Sequence, residues 1–172
     1  MVIKMTVREA SYGQADVIFE LYEQCRTAFR GALVDKWSDG RPDFDDVFGY
    51  IDDGICYVVE DDGKVVAAFI LDFSGETAYR IPLGCQWPVG EYGVLHRVAV
   101  DKSSDYNSVV ESIVDFCISR CAENGVEVIR SGSHPKDQTL CNALSQCGFE
   151  PCGRFRTTTG EERHAYYKGN IQ

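Results

Sequence analysis

The chain has 172 residues, 44% of them apolar and 26% charged, with a formal net charge of −10. A chain this long suits one domain and buries roughly 70% of the surface its unfolded form exposes, so no disulfide framework is required. No basic stretch is present to replace the counterions of duplex nucleic acid, which argues against that partner.

The acidic balance serves solubility, and it also suits steering of a cationic small molecule such as an amine. No run is long or apolar enough to span a membrane. Residues 1–6 contain no signal-peptide apolar core, and a cytoplasmic protein is expected. In that compartment Cys25, Cys56, Cys85, Cys117, Cys121, Cys141, Cys147 and Cys152 are expected as reduced thiols that pack like small hydrophobes. No Cys-x-x-Cys occurs and no His spacing completes a zinc set, so no metal is expected.

Residues 5–8 read as a short strand. Ile18, Leu21, Tyr22, Cys25 and Phe29 then recur at spacings of three and four, with Asp16, Glu20, Glu23 and Gln24 between them. This pattern predicts an amphipathic helix with one buried face. Residues 31–46 break the period with Gly40, Pro42 and several charges. A loop is expected there, with a short helix from Asp43, and loops of this length often shape binding sites. Residues 55–60 and 64–71 are apolar and β-branched around Asp61-Asp62-Gly63, the signature of a β-hairpin. Residues 74–90, with Gly75, Pro82, Gly84 and Pro88, read as irregular, residues 92–100 as a strand and residues 101–107 as a polar loop.

The second helical pattern covers residues 108–124, where Val109, Ile113, Cys117 and Cys121 form a stripe widened by Val110 and Val114. Asn124-Gly125 supplies its stop. A strand over 126–131 follows, then a short helix over 135–146 with Leu140, Leu144 and Cys147 on one face and Gly148 as its stop. Strands over 149–155 and 164–168 flank Thr159-Gly160-Glu161. The order predicts a single α/β domain over residues 1–172. Its central strand, loop, helix and strand form a βαβ unit, so part of the sheet is parallel.

Two segments carry a more specific signal. Leu95-His96-Arg97-Val98-Ala99-Val100-Asp101 runs through a loop into residues 109–116, and Ser133-His134-Pro135-Lys136-Asp137 leads to Gly148-Phe149-Glu150-Pro151-Cys152-Gly153. In this order and spacing they resemble the GNAT superfamily of acyl-CoA-dependent N-acyltransferases. The closing Arg163-His164-Ala165-Tyr166-Tyr167-Lys168 resembles the last strand of a bacterial subgroup. The resemblance implies a mixed, mostly antiparallel central sheet with helices on both faces. It also implies acetyl-CoA as co-substrate, no metal, and an amine of a small molecule or peptide as acceptor, with a homodimer left open.

In such enzymes the pantetheine arm of the donor lies like an added strand along a splayed β-strand. The resemblance assigns that role to Val98, Ala99 and Val100. The pyrophosphate is held by the following loop and helix N-terminus, through backbone N–H groups and the helix dipole. Those positions are Asp105, Tyr106, Asn107, Ser108, Val109 and Val110. The family favours Arg or Gln followed by glycines there. Here Asp105 takes the Arg position and Tyr106, Ser108 and Val110 take the glycine positions, which makes an atypical pyrophosphate loop. Lys102 and Asn107 are the nearby groups able to compensate.

Asp137 stands where the family often has Asn, and Leu144 where a Tyr commonly protonates the departing thiolate. His96 occupies a position where many relatives place an acidic base, and an imidazole with a pKa of about 6.5 suits that work. Glu60 at a strand end is a second candidate base, and Tyr166 is a candidate acid. Each also has a plain structural reading: a strand hydrogen bond for His96, a solvated end for Glu60 and core packing for Tyr166. Two functions stay open, N-acyl transfer and a catalytically degenerate ligand-binding or protein-interaction module on the same scaffold. A thiol-redox role rests on the cysteine count alone.

Overall fold

The computed structural model describes residues 5–76, 79, 84 and 86–169, so Pro82, Cys85 and residues 1–4 lie outside the described residues. The elements are β1 (Met5–Glu9), a 3-10 turn (Tyr12–Gln14), α1 (Ala15–Gly31), α2 (Phe44–Asp52), β2 (Cys56–Asp61), β3 (Lys64–Asp72), β4 (Tyr92–Val100), α3 (Tyr106–Glu123), β5 (Val128–Ser133), α4 (Gln138–Gln146), β6 (Glu150–Arg156) and β7 (Glu162–Lys168). The strands make a seven-stranded mixed sheet in the order β1-β2-β3-β4-β5-β7-β6. β1–β2, β2–β3, β5–β7 and β6–β7 are antiparallel, while β4 and β5 run parallel and are joined through α3. This is the mixed, mostly antiparallel α/β sheet with a βαβ unit that the sequence predicts. Packing gathers in two compact units. One holds the described residues up to Leu71 together with Arg97–Ile113, and the other holds Asp72–His96 together with those from Val114 onward.

In the first unit, the Ser11 N–H donates to Gln14 Oε1 at 3.0 Å and tightens the turn that leads into α1. The apolar stripe of α1 buries Ile18, Leu21 and Tyr22 against Val47 and Ile51 of α2, Val58 of β2, Ala68 and Ile70 of β3, and Ala99 of β4. Each such fully buried aliphatic side chain contributes roughly 1.5–3 kcal/mol. α2 begins where predicted, because Asp43 is a reciprocal cap. Its Oδ1 accepts the Asp46 N–H at 2.8 Å, and its own N–H donates to Asp46 Oδ2 at 2.9 Å. The stretch between α1 and α2 is held by Arg26, which is buried. Its guanidinium donates to the carbonyls of Trp37 at 3.0 Å and Pro42 at 2.9 Å. The β2–β3 turn has Asp62 at φ 51° and Gly63 at φ 79°, the positive pair that a tight hairpin requires.

In the second unit, β5, β7 and β6 pair in sequence. Val94, Tyr79, Phe155 and Ala165 form a core with Trp87, Tyr92 and Cys152 against it. Gly132 is the pivot of this packing, because a Cβ there would lie 2.4 Å from Phe155 Cζ. Arg130 is buried with its guanidinium carbon 3.7 Å from the Tyr92 ring centroid and 4.9 Å from that of Trp87, and it donates to the Pro88 carbonyl at 2.9 Å. Phe149 is buried directly after Gly148, which sits at φ 88° and ends α4.

Some boundaries differ from the expectation, each for a local reason. α3 starts at Tyr106 rather than at residue 108, because Asp105 caps it: its Oδ1 accepts the Ser108 N–H at 3.2 Å. Tyr106 and Asn107 therefore belong to the first helical turn and not to a loop. α4 starts at Gln138 rather than at residue 135. The Asp137 N–H turns back to the His134 carbonyl at 2.9 Å, and Asp137 then caps the helix. β5 is paired from Val128 and not from residue 126, because the Val126 N–H is still spent on the Cys121 carbonyl at 2.9 Å.

Candidate functional site

The parallel ladder between β4 and β5 runs from Tyr92–Val128 to Leu95–Ser131. Ser131 reinforces its last rung by donating its hydroxyl to the Leu95 carbonyl at 2.8 Å. β4 itself continues to Val100. Directly past the ladder, Arg97 has φ 54°, a left-handed backbone that non-glycine residues seldom adopt inside a strand. The conformation is held from α1. The Tyr22 hydroxyl donates to the Arg97 carbonyl at 2.6 Å, and Tyr22 is fully buried. Burial pushes the Tyr22 phenol well above its ordinary pKa, so it stays a donor. One turn on, Cys25 Sγ lies 3.6 Å from the Val100 carbonyl, and Gln24 Oε1 accepts the Lys102 N–H at 2.8 Å. α1 thus clamps the end of β4. The Arg97 guanidinium reaches the Tyr50 phenol on α2, which burial raises and Arg97 lowers.

Val98, Ala99 and Val100, assigned to the donor arm, are all buried on this clamped segment. Their packing comes from the apolar pattern of the strand, but the bend before them had no sequence signal. Arg is not a residue that announces a positive φ.

The candidate catalytic side chains fall in different settings. His96 is half-buried on β4, between the last ladder rung and Arg97. Strand alternation turns it to the face opposite Leu95. Glu60, half-buried on β2, is already engaged: Arg8 Nε lies 3.5 Å from its Oε1, and Gln14 Nε2 donates to the same oxygen at 3.2 Å. It also sits at a register shift between Val59 and Glu60. Tyr166 on β7 is buried opposite Ser131. Burial first, and a hydrogen bond with Cys141 second, push its phenol up to about 12. Cys141 on α4 in turn donates Sγ–H to Ser133 Oγ at 3.3 Å. Sequence reasoning named Tyr166 but not this buried relay, because Cys141 reads only as one of the reduced thiols that pack like small hydrophobes. Asp137 is buried as the cap of α4, and its Oδ1 accepts the Leu140 N–H at 3.2 Å.

The entrance to α3 carries two carboxylates, Asp101 and Asp105. Asp105 is exposed, and its Oδ1 accepts the Ser108 N–H at 3.2 Å. Upstream, Asp101 Oδ1 accepts the Ser103 N–H at 2.8 Å and its hydroxyl at 2.7 Å. These bonds, with Lys64 at 3.7 Å from the carboxylate, hold the Asp101 carboxyl below the usual range. Val109 and Val110 are fully buried, so their side chains face the core. A carboxylate thus takes one N–H of the first turn, and its charge opposes the helix dipole's attraction for an anion.

Outside α2 lies an open recess of about 540 Å³, lined by Phe44, Asp45, Phe48, Gly49 and Asp52. Tyr12 stacks on Phe48 with ring centroids 5.1 Å apart and donates its hydroxyl to Asp52. Exposed aromatic faces beside carboxylates suit a cation. Among the described residues no group of three His, Cys, Asp or Glu side chains is arranged to hold a metal ion, and no helix is long and apolar enough to cross a membrane.

No protein-family model and no curated protein sequence matches this chain. Solved structures do match over nearly its whole length. An acetyltransferase of the GNAT family from Streptococcus agalactiae has a TM-score of 0.86 at 22% identity, covering 98% of this chain and 97% of its own. The acetyltransferase-assigned protein yncA from Salmonella typhimurium, solved with its cofactor acetyl-CoA, has a TM-score of 0.69 at 15% identity, covering 96% and 93%. The ribosomal-protein-alanine N-acetyltransferase from Brucella melitensis has a TM-score of 0.68 at 16% identity, covering 95% and 99%. With its ladder broken after Leu95, its bend at Arg97 and its parallel β4–β5 pair joined through α3, the chain carries the fold of the GNAT acetyltransferases.

Proposed function

We propose that this protein is an N-acyltransferase that moves an acyl group from a thioester donor to an amine acceptor. One observation carries the reading: the β4–β5 ladder stops at Leu95–Ser131 while β4 runs on to Val100, with its bend pinned by Tyr22. A strand that outruns its ladder can take an extended amide-bearing arm by strand addition. The neighbour solved with acetyl-CoA is consistent with such a donor.

In the reaction the amine nitrogen attacks the thioester carbonyl, a C–N bond forms and the C–S bond breaks. The amine proton goes to a base and the leaving thiolate takes up a proton. His96, directly before the bend, is the base candidate on β4, while Glu60 on β2 is paired with Arg8 and Gln14. Tyr166, buried on β7 opposite Ser131, is the candidate proton donor to the leaving thiolate. The net charge of −10 favours approach of a cationic amine.

The test is release of free thiol from acetyl-CoA and from S-acetylpantetheine over a panel of primary amines. Saturable, amine-dependent release supports the reading, and its absence with every amine refutes it. A second reading, a non-catalytic module on this scaffold, is favoured by the Asp105 carboxylate at the start of α3. It predicts ligand binding without thiol release in the same assay.

A further inference from the structure

The start of α3 carries its own carboxylate, Asp105. A helix N-terminus attracts an anion through unspent N–H groups and a positive potential. Here the Asp105 carboxylate accepts the Ser108 N–H at 3.2 Å, so one first-turn N–H is spent and a negative charge stands at the helix start. The turn before it is closed as well. Asp101 takes the Ser103 N–H and hydroxyl at 2.8 and 2.7 Å, the Asp101 carbonyl accepts the Ser104 N–H at 3.0 Å, and Gln24 takes the Lys102 N–H at 2.8 Å. The charged residues of this turn are Asp101, Lys102 and Asp105, and Lys64 lies 3.7 Å from Asp101. Lys64 is thus spent on Asp101. The first turn of α3, Tyr106-Asn107-Ser108-Val109, contains no glycine through which a diphosphate could approach the backbone closely.

The β4 end tells the opposite story. The ladder to β5 ends at Leu95, and the continuation through Arg97 to Val100 is braced by Tyr22 and Cys25. The part of a thioester donor that lies along a strand is provided for, and the diphosphate part is not. We propose that this protein recognises its donor through the acyl-pantetheine arm alone, so that its donor class is an acyl thioester whose affinity owes nothing to a diphosphate. This rests on the acyl-transfer reading above.

The experiment is calorimetric titration of the full chain with acetyl-CoA and with S-acetylpantetheine, at low and high salt, for wild type, Asp105→Asn and Asp105→Arg. Asp105→Asn keeps a capping acceptor while removing the charge, so the helix start is preserved. Wild type is expected to bind the two donors within about threefold of each other, with little salt dependence. Both variants are expected to tighten acetyl-CoA, by about tenfold for Asp105→Arg, and to leave S-acetylpantetheine unchanged. Wild type preferring acetyl-CoA by tenfold or more, or variants that leave the ratio unmoved, overturns the inference while the acyl-transfer reading stands. Failure of wild type to bind either thioester at millimolar concentration overturns both.

Discussion

The Tyr22 hydroxyl, at the centre of α1, donates to the carbonyl of Arg97 at 2.6 Å and fixes the left-handed bend of β4. A non-glycine residue in this conformation costs about 1–3 kcal/mol and persists only where its surroundings over-determine it. Tyr22→Phe removes the donor and leaves a carbonyl of β4 unsatisfied. The expected loss is about 1–3 kcal/mol in urea denaturation with an unchanged m-value. Thioester affinity is expected to fall along with it. Wild-type stability and affinity in Tyr22→Phe would show that the bend does not depend on this bond.

Gly132 and Phe155 give a packing test. A Cβ at residue 132 would meet the Phe155 ring at 2.4 and 2.8 Å, so Gly132→Ala overpacks the second unit. We expect a loss of about 1–3 kcal/mol. Gly49 is the control, because it lies inside α2 with nothing within 4 Å of a new Cβ. Gly49→Ala is expected to stabilise by about 0.5–1 kcal/mol. Thermal unfolding of both variants checks the contrast, and equal effects would contradict the packing described.

Buried thiols set the alkaline limit of stability. Burial pushes Cys56 up to about 12 and Cys121 up to about 11, and it raises Cys117 well above its ordinary value. A raised folded pKa means the folded chain keeps a proton that the unfolded chain loses. The stabilisation is whole below an unfolded thiol pKa of about 8.5 and is lost as pH rises from there toward the folded values. Each such thiol steepens the fall by up to about 1.4 kcal/mol per pH unit. Urea midpoints under reducing conditions are expected to be level to about pH 8 and to drop above about pH 9. A level midpoint to about pH 10 would mean these thiols ionise equally in both states.

Tyr166 tests the proposed chemistry. If its phenol protonates the leaving thiolate, Tyr166→Phe lowers kcat by about 10²–10⁴-fold. The loss is expected to shrink when the alkyl thioester is replaced by an aryl thioester, whose thiolate needs no proton to leave. A loss that is uniform across leaving groups would assign Tyr166 to packing with Cys141 and Ser133 instead.

Much of the fold can be read from local pattern. The α1 stripe, the Asp43 cap, the Asp62-Gly63 turn and the Gly148 stop are each written in residues close together in the chain. They obey short-range rules of period, capping and positive φ. Boundaries slipped where a side chain captured a neighbouring backbone group. Asp105 drew the start of α3 forward, and the turn from His134 to Asp137 pushed that of α4 back.

The site was less legible. The sequence alone singled out His96, Glu60, Tyr166 and the departure at Asp105, because each is a residue type set against a spacing. It carried no sign that Glu60 is tied to Arg8 and Gln14, or that Tyr166 joins Cys141 and Ser133. It carried no sign that Arg97 bends β4 under Tyr22, a partner 75 residues away in the chain. Local periodicity and capping depend on neighbours within a few residues, so the chain determined its own elements, their order and the chemistry available to it. Which carboxylate is spent, which phenol keeps its proton and where the strand breaks depend on contacts between distant segments, and only the tertiary structure decided them.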